Sequence, residues 1–301
     1  MFHLSLLGTG GMVPLAHRHL TALLVRYNGR MLLIDCGEGT QVTMRELGWG
    51  FVDLDVILFT HFHADHIAGL PGLLLSLSNY GRTEPITIVG PKGIREVVNS
   101  LRVIAPELQY ELRFLVLDFE GMPTIQFQLG AFHISALPLS HALPCIGYSI
   151  QIPRAGKFEP ERAKAQNIPM QYWSLLQRGE TVDAFTPDMV LGPDRKGIKV
   201  SYMTDTRPID TIPDFIEGSD LFLCEGMYGD DALKEKADRF YHMIFSDAAR
   251  LAKAGHVKEL WLTHYSQALT DPESHLPIAR EIFPNTIAGV DRMTKTLHFE
   301  D

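Results

Sequence analysis

Residues 60–66 read Thr-His-Phe-His-Ala-Asp-His, which sets His61, His63, Asp65 and His66 almost side by side. Imidazole and carboxylate together suit zinc and similar borderline divalent cations. The run follows an apolar stretch at 56–59 that reads as a strand and precedes an apolar-periodic stretch at 67–78 that reads as a helix. Four metal-capable side chains therefore converge on one strand-to-helix turn. A tight turn cannot enclose two ions by itself, so further donors are expected from the ends of later strands. His141 follows the strand-like run 132–138, Asp205 follows 199–203 and His264 follows 259–262. Alone, each is an ordinary polar residue at a strand end; in this order they look like loops closing on one point. Seven such donors exceed what one tetrahedral zinc uses, so two ions are expected. Asp35, after an apolar strand and before a glycine-containing turn, has two candidate jobs: orienting a ligating histidine or bonding the backbone of residues 37–40.

The elements that must position these groups alternate. Strand-like runs at 2–7, 22–26, 31–34, 56–59 and 86–89 are interleaved with helical patterns at 40–47, 67–78 and 94–103. A strand-dense middle follows at 112–117, 125–129, 132–138 and 148–152, and regular strand and helix alternation resumes after 198. This is the pattern of an α/β sandwich of two sheets, one catalytic domain spanning 1–301. Residues 153–198 interrupt it, rich in Pro and Gly punctuation and without core periodicity beyond a helical stretch at 159–166. They read as a protruding insertion.

Composition narrows the function. Lys and Arg number 27 against 36 Asp and Glu, a net charge of −9, which excludes a generally basic surface that grips nucleic acid along its length. Any nucleic-acid contact must be local. Cys36, Cys145 and Cys224 are odd in number and widely spaced, so they form no disulfide framework and suit a reducing cytoplasm. The first residues lack a basic lead-in, and the longest apolar stretches, such as 70–77, are too short to span a bilayer. A soluble, cytoplasmic protein without a membrane partner is expected.

Several motifs are more specific. The chain carries Leu7-Gly8-Thr9-Gly10, Asp35-Cys36-Gly37-Glu38-Gly39-Thr40-Gln41, the 61–66 cluster followed by Ile67-Ala68-Gly69-Leu70-Pro71-Gly72-Leu73, then Asp205-Thr206-Arg207-Pro208 and Thr263-His264-Tyr265-Ser266. In these it resembles the metallo-β-lactamase superfamily and, within it, the ribonuclease Z family, which trims the 3′ end of precursor tRNA. The resemblance implies an αββα sandwich and a metal-dependent endoribonuclease acting as a homodimer on precursor tRNA. It implies two divalent ions, zinc, with manganese as the alternative: His61, His63 and His141 on one, Asp65, His66 and His264 on the other, and Asp205 between them. It also makes Asp65 the proton acceptor, His242 the acid for the leaving oxygen, and Glu225 the neighbour of His242. Around these last two the chain departs from the family, with Glu225-Gly226-Met227 and Met243-Ile244-Phe245 where hydroxyl residues are usual.

By the same resemblance the insertion is an arm that grips tRNA away from the metals. Its tip departs too, reading Met170-Gln171-Tyr172-Trp173-Ser174-Leu175-Leu176 where a Gly-Pro pair is usual. Lys157, Lys164 and Arg178 are candidate phosphate contacts, and Tyr172 and Trp173 candidate stacking residues. Alternatively, Tyr172, Trp173, Leu175 and Leu176 form an apolar patch that docks on a second subunit. The altered tip also admits a hydrolase for a smaller phosphodiester, and the third reading is a non-catalytic RNA- or protein-binding relative, against which the complete donor set stands.

Overall fold

The computed structural model describes residues 1–300. Among them the strands are β1 (Phe2–Gly8), β2 (Ala22–Tyr27), β3 (Arg30–Ile34), β4 (Leu54–Leu58), β5 (Ile86–Pro91), β6 (Leu112–Leu117), β7 (Ile125–Leu129), β8 (Phe132–Leu139), β9 (Cys145–Arg154), β10 (Arg195–Met203), β11 (Leu221–Glu225), β12 (Leu260–Thr263), β13 (Thr286–Ala288) and β14 (Thr294–Leu297). The α-helices are α1 (Thr40–Leu47), α2 (Ala64–Ile67), α3 (Leu70–Asn79), α4 (Ile94–Leu101), α5 (Pro160–Ala165), α6 (Met170–Gln177), α7 (Ile212–Ile216), α8 (Lys234–Arg239), α9 (Phe245–Ala254) and α10 (Leu276–Ile282). Two seven-stranded sheets result, ordered β14-β1-β2-β3-β4-β5-β6 and β13-β12-β11-β10-β9-β8-β7.

The strand period explains the layering. In β2, Leu23 and Val25 enter the core between the sheets, while Ala22 and Leu24 enter the core shared with α1, α3 and α4. In β10, Val200 and Tyr202 face the inter-sheet core and Met203 joins the core under α7, α9 and α10. Both faces of β2 are apolar and both faces of β10 are covered, with Lys199 and Ser201 beside Met203 on its helix-side face, which gives the αββα sandwich expected. No helix among the described residues is long and apolar enough to cross a membrane.

At one edge of the sandwich the chain leaves its strands through left-handed backbone at residues other than glycine. Asp35 after β3 has φ 58°, Asp205 after β10 has φ 49° and His264 after β12 has φ 59°. Such conformations cost about 1–3 kcal/mol each and persist where the surroundings impose them. Here they turn polar side chains in toward a common point at the carboxyl ends of the strands.

The helix expected at 67–78 is in fact two, α2 and α3, broken at Ala68 and Gly69. The break follows from close packing: a Cβ on Gly69 would lie 2.1 Å from the Gly37 oxygen, and the Gly69 N–H donates to the Cys36 oxygen at 2.9 Å. A continuous helix would drive the two loops into each other.

β9 and β10 pair antiparallel out to Arg154 and Arg195, and residues 155–194 lie between their ends. This stretch holds α5 and also α6, which the sequence pattern did not indicate. Ala163, Ile168, Leu176 and Val190 form a small core of their own there, with Phe158, Tyr172 and Trp173 packed against it. Of the apolar residues at the tip, Leu176 is buried and Tyr172, Trp173 and Leu175 are half-buried, while Met170 is exposed.

Candidate active site

Past the end of β4, Thr60 fixes the geometry before any ligand is placed. Its N–H donates to Asp35 Oδ1 at 2.9 Å, and its hydroxyl lies 2.9 Å from Asp35 Oδ2 and 3.1 Å from His61 Nδ1. Asp35, fully buried, also meets His66 Nδ1 at 2.8 Å through Oδ2. Asp35 thus binds Thr60 and His66 rather than the backbone of residues 37–40. With Nδ1 of His66 engaged, Nε2 is left pointing into the site.

Two trios form. His61 Nε2 lies 2.9 Å from His63 Nδ1, which lies 3.3 Å from His141 Nε2. His66 Nε2 lies 3.1 Å from His264 Nε2, and Asp65 Oδ2 lies 3.6 and 3.4 Å from these two atoms. Asp205 stands between them: its Oδ2 is 3.6 Å from His61 Nε2 and 4.0 Å from His141 Nε2, and its Oδ1 is 3.2 Å from His66 Nε2 and 3.1 Å from His264 Nε2. The seven side chains picked out in the sequence are thus brought together, drawn from both sheets. Gly11 makes room for the last of them, since a Cβ there would lie 2.8 Å from the His264 ring.

The donor set fits divalent cations. Asp205 Oδ1, which faces the second trio, is buried without a hydrogen-bond partner; His141 and His264, whose Nε2 atoms face the trios, likewise leave Nδ1 without one. For Asp205 Oδ1 this holds although His66 Nε2 and His264 Nε2 lie 3.2 and 3.1 Å away. A buried polar atom left unsatisfied costs about 1–3 kcal/mol, so an orphaned carboxylate oxygen between ring nitrogens marks a site built for something else. Atoms about 2.0–2.1 Å from one tetrahedral ion lie about 3.3–3.4 Å apart, close to the spacings within each trio. Burial and the neighbouring His66 push His61 down to about 2, and burial brings His141 down to about 4 despite Asp205. Both rings are neutral at physiological pH, as ligation requires. Burial opposes ionisation of Asp65, but His264 and His66 outweigh it and hold the carboxyl below its ordinary range.

His242 sits beside this cluster. A ring nitrogen lies within 4.8 Å of candidate donor atoms on Asp205 and His264. Its Nδ1 meets Glu225 Oε2 at 3.0 Å, and Glu225 Oε1 accepts the Thr206 N–H at 2.6 Å. Burial disfavours a charge on His242, but Glu225 outweighs it and lifts the imidazole to about 9. A protonated ring donates rather than ligates, which separates His242 chemically from the other histidines.

The arm residues lie apart from this cluster. Trp173 packs on Phe158, ring centres 5.3 Å apart, and donates Nε1–H to the Ile168 oxygen. Lys164 pairs with Glu161 and Arg178 with Glu180, whereas Lys157 is exposed and forms no ion pair among the described residues.

Several residues of the site escaped the sequence reading. The Met12 N–H donates to Asp65 Oδ2 at 2.7 Å; a backbone donor leaves no signature in residue type. The Arg207 guanidinium lies 4.0 Å from the centre of the Tyr241 ring. A cavity of about 720 Å³ opens above the two trios, walled in part by Tyr228, Lys236, Arg239 and Phe240.

Known proteins resemble this chain over its full length. Residues 2–152 match the family model described as Anti-Pycsar protein Apyc1. Over their full lengths, the chain is 52% identical to a protein of Clostridium acetobutylicum named Ribonuclease Z. It is also 52% identical to a Ribonuclease Z of Lachnoclostridium phytofermentans, covering 100% of the chain and 99% of that protein. Among solved structures, the short form of human tRNase Z superposes with a TM-score of 0.71 at 24% identity, covering 99% of this chain and 100% of that one. The metallo-beta-lactamase fold protein YhfI of Bacillus subtilis gives the same TM-score at 18% identity, with 98% of each chain covered.

Proposed function

The chain belongs to the ribonuclease Z family, and from that premise we propose a metal-dependent endoribonuclease that removes the 3′ trailer of precursor tRNA. The observation that carries the mechanism is Asp205, whose two carboxylate oxygens face different trios. We assign His61, His63 and His141 to one ion, Asp65, His66 and His264 to the second, and Asp205 to both. Zinc suits these imidazole and carboxylate donors, with manganese as the alternative. When bound, such ions activate water for attack and neutralise charge developing on the phosphate.

The protein's own groups do the rest. Asp35 and Thr60 hold His66 and His61 in place. Asp65 stays ionised, the state in which a carboxylate can orient water and accept its proton. Glu225 fixes Nδ1 of His242, leaving Nε2 to give a proton to the departing ribose oxygen. The arm at 153–198 supplies distant tRNA contacts through Lys157, Lys164 and Arg178; exposed pairs such as those of Lys164 and Arg178 are worth about 0–1 kcal/mol and yield readily to a phosphate. Tyr172 and Trp173 shape the arm more than they offer open stacking faces. We place the enzyme in the cytoplasm, where the free thiols of its three buried cysteines persist. We further propose a homodimer, for which exposed Val103 and Ile104 offer an apolar surface.

The direct test is cleavage of a precursor tRNA carrying a 3′ trailer by purified protein, with release of the trailer as the expected product. Metal analysis of protein purified without chelators should return close to two equivalents per chain. A value that stays at one with added zinc or manganese would remove Asp205 from its bridging place. His242→Ala should slow precursor tRNA cleavage by roughly 10²–10⁴-fold, the range for one acid–base group. On bis(4-nitrophenyl) phosphate, whose leaving group needs no proton, the loss should be much smaller. Equal losses on both substrates rule out the acid role.

A further inference from the structure

One wall of the cavity above the trios neither reaches a candidate ion site nor moves a proton. It consists of Tyr228 and the end of α8 with the residue after it: Lys236, Arg239 and Phe240. Lys236 Nζ lies 4.9 Å from the Tyr228 ring centre, and the Arg239 guanidinium 5.5 Å from that of Phe240. Lys234 of the same helix is tied to Asp238 and Asp247, whereas Lys236 and Arg239 have no ion-pair partner among the described residues. Phe240 is 51% exposed. In a chain of net charge −9, two cations without a carboxylate partner, each held over an aromatic ring, face this cavity.

The wall is held firmly against His242. Ala237 of α8 is buried with Met227, Tyr228 and Ile244, and its oxygen accepts the His242 N–H at 2.8 Å. The Tyr228 and His242 ring centres are 6.5 Å apart. If His242 protonates the leaving ribose oxygen, the nucleoside that keeps this oxygen must lie against His242, with this wall beside it. Cations that follow a phosphate backbone and aromatic faces that accept a base are how single-stranded RNA is held.

We propose that this wall is the subsite for the nucleotide that keeps the leaving oxygen, its base stacked on Phe240 and the neighbouring phosphates taken by Lys236 and Arg239. The assignment rests on the reading of the site as a centre for RNA 3′ processing.

The test is cleavage of precursor tRNA by the metal-loaded enzyme. Phe240→Ala should lower kcat/KM about 5- to 150-fold, the worth of one stacked base, and Phe240→Tyr, which keeps the ring face, should recover most of it. The double variant Lys236→Ala/Arg239→Ala should make the slope of log kcat/KM against log salt concentration shallower by about 1.4, or about 0.7 for each phosphate bound. Lys253→Ala, a charge change on exposed α9 surface, should leave that slope as it is. Three results would overturn the subsite: Phe240→Ala within twofold of the parent, equal losses in the Ala and Tyr variants, or the same slope change from Lys253→Ala. A parent enzyme inactive on precursor tRNA would overturn the site reading itself, whereas an active parent with indifferent wall variants would overturn the wall alone.

Discussion

Asp65→Ala should lose at least about 10³-fold in kcat on precursor tRNA and on bis(4-nitrophenyl) phosphate alike, since one acid–base group is worth about 10²–10⁴ and a ligand is lost with it. The step affected is attack by water, which both substrates share, so the loss should not depend on the leaving group. That is the opposite of the pattern expected for His242. Oδ2 of Asp65 also accepts the Met12 N–H, so the variant frees the loop after β1 as well as one corner of the second trio. Metal content should fall from two equivalents toward one. Asp65→Asn, similar in size but uncharged, separates the two jobs: a chain that regains the second ion without regaining turnover identifies the lost function as proton acceptance. An alanine variant that keeps a tenth of parental activity would remove Asp65 from the mechanism.

Replacing residues 166–179 with a short Gly-Ser linker should reduce precursor tRNA processing by roughly 100-fold or more, given about 1.5–3 kcal/mol for each hydrogen bond between a charged arm residue and a phosphate. The linker removes Ile168 and Leu176, and with them the arm's private core, which shares no residue with the cores of the sandwich. The β9 and β10 stem and the two trios are built from other residues, so the loss on a small diester should be far smaller. Lys157→Glu is the gentler version: the side chain is exposed and unpaired among the described residues, so reversing it should weaken tRNA cleavage without melting α5 and α6. If the linker variant processes precursor tRNA as well as the parent, the arm is no handle for tRNA.

What could be read from the sequence follows from how local each signal was. His61, His63, Asp65 and His66 lie in one short run, and His141, Asp205 and His264 each follow a recognisable strand, so spacing alone indicated the cluster. The layers were legible because β2 opens on a continuous apolar run, 22–25, as a strand covered on both faces does, while β10 alternates Ile198, Val200 and Tyr202 with Lys199 and Ser201. His242 and Glu225 came only through family resemblance, because Glu225 reaches His242 across a fold that no spacing encodes. Lys236, Arg239 and Phe240 look in sequence like the solvated face of a short helix, and only the tertiary structure turns them toward the cavity. α6 was missed because its few buried residues pack on α5 and on Val190 rather than on a sheet, leaving no long periodic stripe. The break between α2 and α3 is set by packing against a loop some thirty residues earlier in the chain.

The drawing of ligands from both sheets has a consequence in time. His66 and His264, whose ring nitrogens face each other, are 198 residues apart in the chain. At a synthesis rate of about 5–20 residues per second, the first cluster of histidines is synthesised roughly 10–40 s before His264. Through that interval the nascent chain offers only the imidazoles and carboxylate of residues 61–66, together with His141 and Asp205 as they emerge. An ion caught early at the second trio would be held by an incomplete set and be free to exchange, whereas the donors of the first trio are all made by Asp205. The second trio is complete only once β12 is made and docked, so a complement of two ions would report that the chain has been made through His264 and folded.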